Sequence, residues 1–466
     1  MYSRGCAVVA KTRGHGNGLR WGSFGTAPLL VTALLAVPGA RAEDGVSTDG
    51  GVVHVANLPR AQGLDGASSY NSDLAFSGDY AIGGNYDGFV VYDISDPENP
   101  SRVSTVVCPG SQGDVSVSGD LLYLSVDYPR ADSECGAPAV SATDSDGFEG
   151  IRIFDISDKA DPRYVSAVRT DCGSHTNTLV PGEDGERDYV YVSSYSPSKD
   201  FPNCQPPHDR ISVVEVPLAD PASARVVSEP VLLPDGGHGT TTGCHDITAY
   251  PERGLAAAAC LGDGLLLDIA DPVNPVVVER VSDPNFAFWH SATFTNDARN
   301  VIFTDELGSG YAATCTAETG PERGADAVYS LDQNGADPKL EFRSYYKLPR
   351  HQSETENCVA HNGSLIPVPG QDYFVQSWYQ GGVSVIDLSD PDKPEEIGHF
   401  DRGPWNPDAL TTAGSWSAYY YNGYVYSSDI MRGLDVLRLT DPRLAGAEDV
   451  RMEEFNPQSQ PSLPTA

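Results

Sequence analysis

GFVVYDISDPENP at residues 88–100 returns, with few changes, as GIRIFDISDKADP at 150–162, GLLLDIADPVNP at 264–275 and GVSVIDLSDPDKP at 382–394. Looser copies stand at 210–221 (RISVVEVPLADP), 327–338 (AVYSLDQNGADP) and 433–442 (GLDVLRLTDP), seven in all. Each joins an apolar, β-branched run to an Asp-Pro turn or its remnant. A unit of this size cannot bury its apolar faces alone and must stack on its neighbours, which is the signature of a propeller or solenoid. Function is then to be sought in what one face of the array presents.

Each unit divides into four strands. HTNTLV (175–180) and DYVYVSS (188–194) are a first and a second strand, and GIRIFDIS (150–157) and PRYVSAV (162–168) are the third and fourth of the preceding unit. Alternation and β-branched content support strands, and no stretch holds a helical period. The aspartate suits a turn because it bonds its own nearby backbone, and the later proline suits the start of an outer strand, where a missing N–H is harmless. The expected fold is all-β, a seven-bladed β-propeller of four-stranded blades. VVHVANLPR (52–60) looks like a fourth strand without its first three, and is expected to complete the last blade.

The phrase G-x-x-x-x-D-[IL]-[SA]-D-P resembles the LVIVD-repeat family of exported bacterial β-propellers over nearly the whole chain after residue 42. ENCVAHNGSLIPVPG (356–370), WYQGGVSVIDLSDP (378–391) and DIMRGLDVLRL (429–439) are similar to the C-terminal part of an actinobacterial-type subset. The resemblance implies a fold and an exported location, and no settled activity.

Residues 1–42 carry Arg4, Lys11, Arg13, Arg20 and Arg41, no acidic residue, and an apolar stretch ending before Ala40-Arg41-Ala42. That pattern predicts a secretory signal cleaved near Ala42, with an apolar part too short to span a bilayer. The expected organisation is a signal at 1–42, the propeller at 43–445 and a polar tail at 446–466, fraying at its end. Losing the five basic residues takes the net charge from −35 to −40. Such a chain repels phosphate backbones and anionic lipid, which excludes nucleic acid as a partner and leaves no membrane span. A secreted monomer is expected.

Of nine cysteines, Cys6 precedes the cleavage site, and an even number in an exported chain favours disulfides. Cys244 and Cys260 flank the hairpin DITAYPERGLAAAA. Cys108 with Cys135 and Cys172 with Cys204 repeat one pattern, and Cys315 with Cys358 follows by elimination.

Aligned on their first strands, the units share one slot. It holds Asn71, Gln112, His175, His245, His290, His361 and Trp416 in order along the chain. First strands line a propeller's central channel, so four imidazoles at one depth converge toward the axis. Neutral imidazole is the commonest metal-ligand side chain, and four such nitrogens without thiolate favour iron, copper or nickel over structural zinc. A hydrated polar channel wall is the alternative reading. GGHGTTTG (236–243) lacks the strand-to-helix context of a phosphate loop, and no Ser-His-Asp grouping separates from the slot.

Second strands end at the same face with Asp127, Asp263, Asp305, Glu306 and Asp429, which suit orientation of imidazoles, general-base work or calcium. Asp305 and Glu306 are the catalytic candidates. Trp289, Trp378, Trp405 and Trp416 also map near this face, and with Asn71 and Gln112 the first, second and fourth of them predict a pocket for a small molecule or sugar. Three function classes compete: a propeller binding a transition metal and a small ligand, a metal-dependent oxidoreductase or lyase at the same site, and a metal-free cell-surface scaffold for protein contacts.

Overall fold

The computed structural model describes residues 46–238, 241–333 and 338–465. The signal expected at 1–42 lies outside the described residues. Seven antiparallel sheets form the ring of a seven-bladed β-propeller. Blade 1 runs through Asn71–Ser77, Tyr80–Asn85, Gly88–Asp93 and Ser101–Val107. First strands of the later blades begin at Val115, Thr176, Asp246, Trp289, Gly363 and Ser415.

The repeated phrase explains itself in hydrogen bonds. Asp93 accepts from the Ser95 N–H at 2.9 Å, and Asp155, Asp268 and Asp387 make the same bond two residues on. The second aspartate repeats the device, with Asp271 accepting from Val273 N and Asp390 from Asp392 N, each at 3.0 Å. Each aspartate therefore closes its own turn before the chain enters the outer strand. In all seven blades the pairing of third and fourth strands carries a register shift. Bulges there twist the edges, which protects them from pairing with other chains.

Apolar side chains on both faces of each blade fill the spaces between blades. Both ends of the described chain fasten the ring. Val52–Leu58 pairs with Gly433–Leu439 as the fourth strand of blade 7, as the sequence predicted, and Ser47–Asp49 adds a fifth strand to blade 6. Cysteines pair as Cys108–Cys135, Cys172–Cys204, Cys244–Cys260 and Cys315–Cys358, the pairing expected from the sequence.

The C-terminal segment departs from expectation. Within what was expected to be a polar tail, Glu454–Phe455 pairs with the inner strand of blade 1, and Asn456, Gln458 and Gln460 are buried. First strands turn an unpaired backbone edge toward the axis, and the polar side chains of the tail satisfy it. The Asn456 amide accepts from Val117 N at 2.7 Å and donates to Val117 O at 2.8 Å. Gln460 brackets Phe294 in the same way.

Candidate metal centre

At the opposite end of the first strands the slot histidines are held at one height by their backbones. The N–H of His175 donates to Ser193 O, that of His245 to Ala259 O and that of His361 to Ser377 O, at 2.8–3.1 Å. Each acceptor lies on the second strand of the same blade. Neighbouring blades are then tied at the rim, where Tyr195 bridges Gly243, Leu261 bridges Trp289 and Tyr379 bridges Ser415. The last tie requires a glycine at 414, since a Cβ there would stand 2.2 Å from Gln380 N.

The four imidazoles form a continuous arc. Ring centroids lie 4.4 Å apart for His175–His245, 4.0 Å for His245–His290 and 4.1 Å for His290–His361. All four residues are buried. His175 Nδ1–H donates to Asp127 at 2.8 Å, and His361 Nδ1–H donates to the carbonyl of Trp416. With Nδ1 committed to these acceptors, both end rings turn Nε2 toward their neighbours. His175 Nε2 stands 2.9 Å from His245 Nε2, and His361 Nε2 has no hydrogen-bond partner among the described residues. Burial, with repulsion from the other rings, holds His245 and His290 well below the ordinary histidine range and brings His361 down to about 3. These three rings stay neutral, the form that binds metal.

The structure separates the two candidate acids, because successive strand-end residues point to opposite sides. Asp305 faces the blade, where it accepts from the N–H groups of Ala287, Phe288 and Gly324 and so shapes the loop leading to His290. Glu306 faces the axis. A nitrogen of His245, a nitrogen of His290 and a carboxylate oxygen of Glu306 all lie within 4.8 Å of one another. Tyr379 OH donates to Glu306 at 2.6 Å, yet burial pushes the Glu306 carboxyl up to about 8. Of the other strand-end acids only Asp127 touches a slot histidine. Asp263 braces the loop at His238 and Thr241, and Asp429 caps the turn at Met431 and Arg432. No calcium-type cluster forms from these five.

The remaining slot residues line the other side. Gln112 accepts from Tyr86 OH at 3.4 Å, and Asn71 is engaged by Asn85 and the carbonyl of Asp429. Trp416 packs edge-on against His361 and Tyr86. Trp289 and Trp378 do not join it. Both are fully buried in spaces between blades, and the Trp289 indole lies where a Cβ on Gly264 would stand, 2.4 Å away. Trp405 is 41 % exposed beneath Arg432.

The pocket's aromatic wall comes instead from tyrosines. Tyr195 contacts His175 and His245, Tyr379 contacts His361, and Tyr86 contacts Trp416. All three follow the end of a second strand by one or two residues, so the repeat frame itself held the signal. The sequence also concealed a Ser-His-Asp chain. Ser194 Oγ lies 2.9 Å from His208 Nε2, and His208 Nδ1 lies 3.1 Å from Asp171. Ser194 and His208 are buried, and Gly243 lies against both, so this chain clamps the Cys172–Cys204 loop.

Fold and site together define a seven-bladed β-propeller with a histidine arc on its axis. The LVIVD repeat family model matches residues 69–107, which span blade 1. No curated protein matches it. Among solved structures, Kuenenia stuttgartiensis hydrazine synthase superposes with a TM-score of 0.51 at 14% identity, over 81% of this chain and 97% of that one. The periplasmic gluconolactonase of Pseudomonas aeruginosa gives 0.50 at 14% identity, over 80% of this chain and 100% of that one. At such identity the likeness is one of fold.

Proposed function

We propose that this LVIVD-repeat propeller is exported and holds a transition metal ion with His175, His245, His290 and His361, Glu306 standing beside them. A small organic ligand is admitted against Tyr86, Tyr195, Tyr379 and Trp416. One observation carries the reading: both end histidines commit Nδ1 to a buried acceptor and turn Nε2 inward. A channel that merely holds water has no need of this polarity, whereas metal-ligating histidines characteristically donate their second nitrogen to a carboxylate or carbonyl. Imidazole nitrogens with one carboxylate, and no thiolate, suit iron or copper. Four disulfides and the basic, apolar N-terminal segment support export.

The test is elemental analysis of the mature chain after reconstitution with iron, copper, nickel and zinc at neutral pH. One equivalent of a single metal is expected, lost in His290→Ala and His361→Ala while the propeller stays folded. Equal metal in wild type and variants would return the site to a hydrated channel and leave the scaffold reading. Turnover at the metal, the second reading, is favoured by Glu306, a carboxyl poised near neutral pH beside the ligands.

A further inference from the structure

One or two residues further along the first strands, past the histidine tier, three aspartates are wholly buried inside the ring: Asp73, Asp114 and Asp246. Asp73 belongs to blade 1, Asp114 leads into blade 2 and Asp246 opens blade 4. No arginine, lysine or histidine makes an ion pair with any of them among the described residues. What they meet are neutral donors. Asp73 accepts from Leu74 N and from the side-chain amide of Gln458, and Asp114 accepts from the backbone and side-chain amides of Asn177. The carboxyls of Asp73 and Asp114 face each other closely enough to share a proton, and Asp246 adds its field to both.

Three buried oxygens at this place have no donor. They are Asp114 Oδ1, the amide oxygen of Asn177, whose N–H₂ group is on Asp114, and the amide oxygen of Gln458, whose own N–H₂ group is on Asp73. Gln458 is nearly sealed from solvent, as is Asp114. Buried oxygens without donors are costly, and facing carboxylates more so, unless positive charge compensates them. A shared proton relieves the repulsion between Asp73 and Asp114. It leaves the Gln458 oxygen unanswered.

We propose that Asp73, Asp114 and the amide oxygen of Gln458 form a second, oxygen-only site on the axis for a divalent cation of the calcium class, separate from the histidine arc. The donors are hard, mixed carboxylate and carbonyl oxygens carried on three separate segments of chain. Calcium accepts such irregular sets of six to eight oxygens, whereas magnesium demands near-octahedral order and sheds its waters reluctantly. Two carboxylates match the double charge, and Asp246 strengthens the attraction from outside. Because Gln458 comes from the C-terminal segment, the ion ties that segment to blades 1 and 2.

The experiment uses the full mature chain, stripped with EGTA and titrated with calcium chloride in calorimetry and thermal unfolding. The exposed acidic surface binds calcium weakly, so the expected signal is one tight equivalent per chain and a raised melting temperature. Asp114→Asn, which keeps shape and removes charge, should abolish that equivalent. Gln458→Ala should weaken it at least tenfold, while His290→Ala should leave it intact and so distinguish this site from the proposed transition-metal site. Calcium titrations indistinguishable between wild type, Asp114→Asn and Gln458→Ala would overturn the proposal, and the acid pair would then hold a proton. A tight equivalent lost in His290→Ala would overturn it as well, by moving the ion to the histidine arc.

Discussion

The Nδ1–H of His175 donates to the carboxylate of Asp127 at 2.8 Å, and that bond decides which nitrogen of the ring faces the other three histidines. Asp127 thus positions a ligand from a strand end in blade 2, one blade away from the ring it orients. Replacing it with alanine should lower transition-metal affinity by roughly 10–100-fold, the usual effect of losing such a partner. Asp263→Ala, at the start of the third strand of blade 4 and engaged with His238, should leave affinity unchanged. Chelator competition measures both, and equal losses would remove Asp127 from its positioning role.

Proton competition gives the second prediction. Burial holds His361 down to about 3 and Glu306 up to about 8, so near neutral pH the proton to be displaced sits on Glu306. Metal affinity should therefore rise with pH up to about 8, gaining as much as tenfold per pH unit where the carboxyl is protonated, and then level off. In Glu306→Gln the dependence above pH 6 should flatten. A wild-type profile already flat between pH 6 and 8 would show that Glu306 takes no part.

The slot was legible because the repeat supplies its own ruler. Once the first strands are aligned, four histidines fall in register without any knowledge of contacts. Tryptophans defeated the same reasoning, because an aromatic near a strand start can face the axis or the neighbouring blade, and the choice rests on a partner's size. For Trp289 that partner is Gly264, which leaves room for the indole between blades. Glu306 and Asp305 were found as a pair, but only strand geometry assigns the first to the axis. The role of Gln458 was beyond sequence reading, since its partner Asp73 lies 385 positions away.

Without metal, the buried neutral imidazoles make the fold sensitive to acid. In the unfolded chain a histidine gains its proton near pH 6.5, whereas His361 in the folded chain resists it down to about 3. The unfolded state binds more protons across that window, so stability is lost as pH falls from 6.5 toward 3. The slope is on the order of 1 kcal/mol per pH unit for each such histidine. Melting of the metal-free chain between pH 7 and 5 should show it, and His361→Gln should reduce it. Identical slopes would mean that His361 protonates without unfolding.

The C-terminal segment should be essential to the ring's stability even though it contributes almost no strand. Asn456 and Gln460 each give an amide N–H and an amide oxygen to one inner strand, at Val117 and Phe294. Between them, Ala249 donates to Gln458 O and accepts from Gln460 N, both at 2.8 Å. Three blades thus have backbone groups on their axial edges answered by the same short segment. Asn456→Ala removes both bonds at Val117 and should cost roughly 1–3 kcal/mol for the buried groups left without partners. Truncation after Val450 should cost more, with amide exchange at Val117 and Phe294 accelerated ahead of the strands facing neighbouring blades. Hydrogen-exchange mass spectrometry on the truncated chain decides the matter. Unchanged protection at Val117 and Phe294 would show that water replaces the tail without penalty, and that the ring is held by its blade contacts and terminal strands alone.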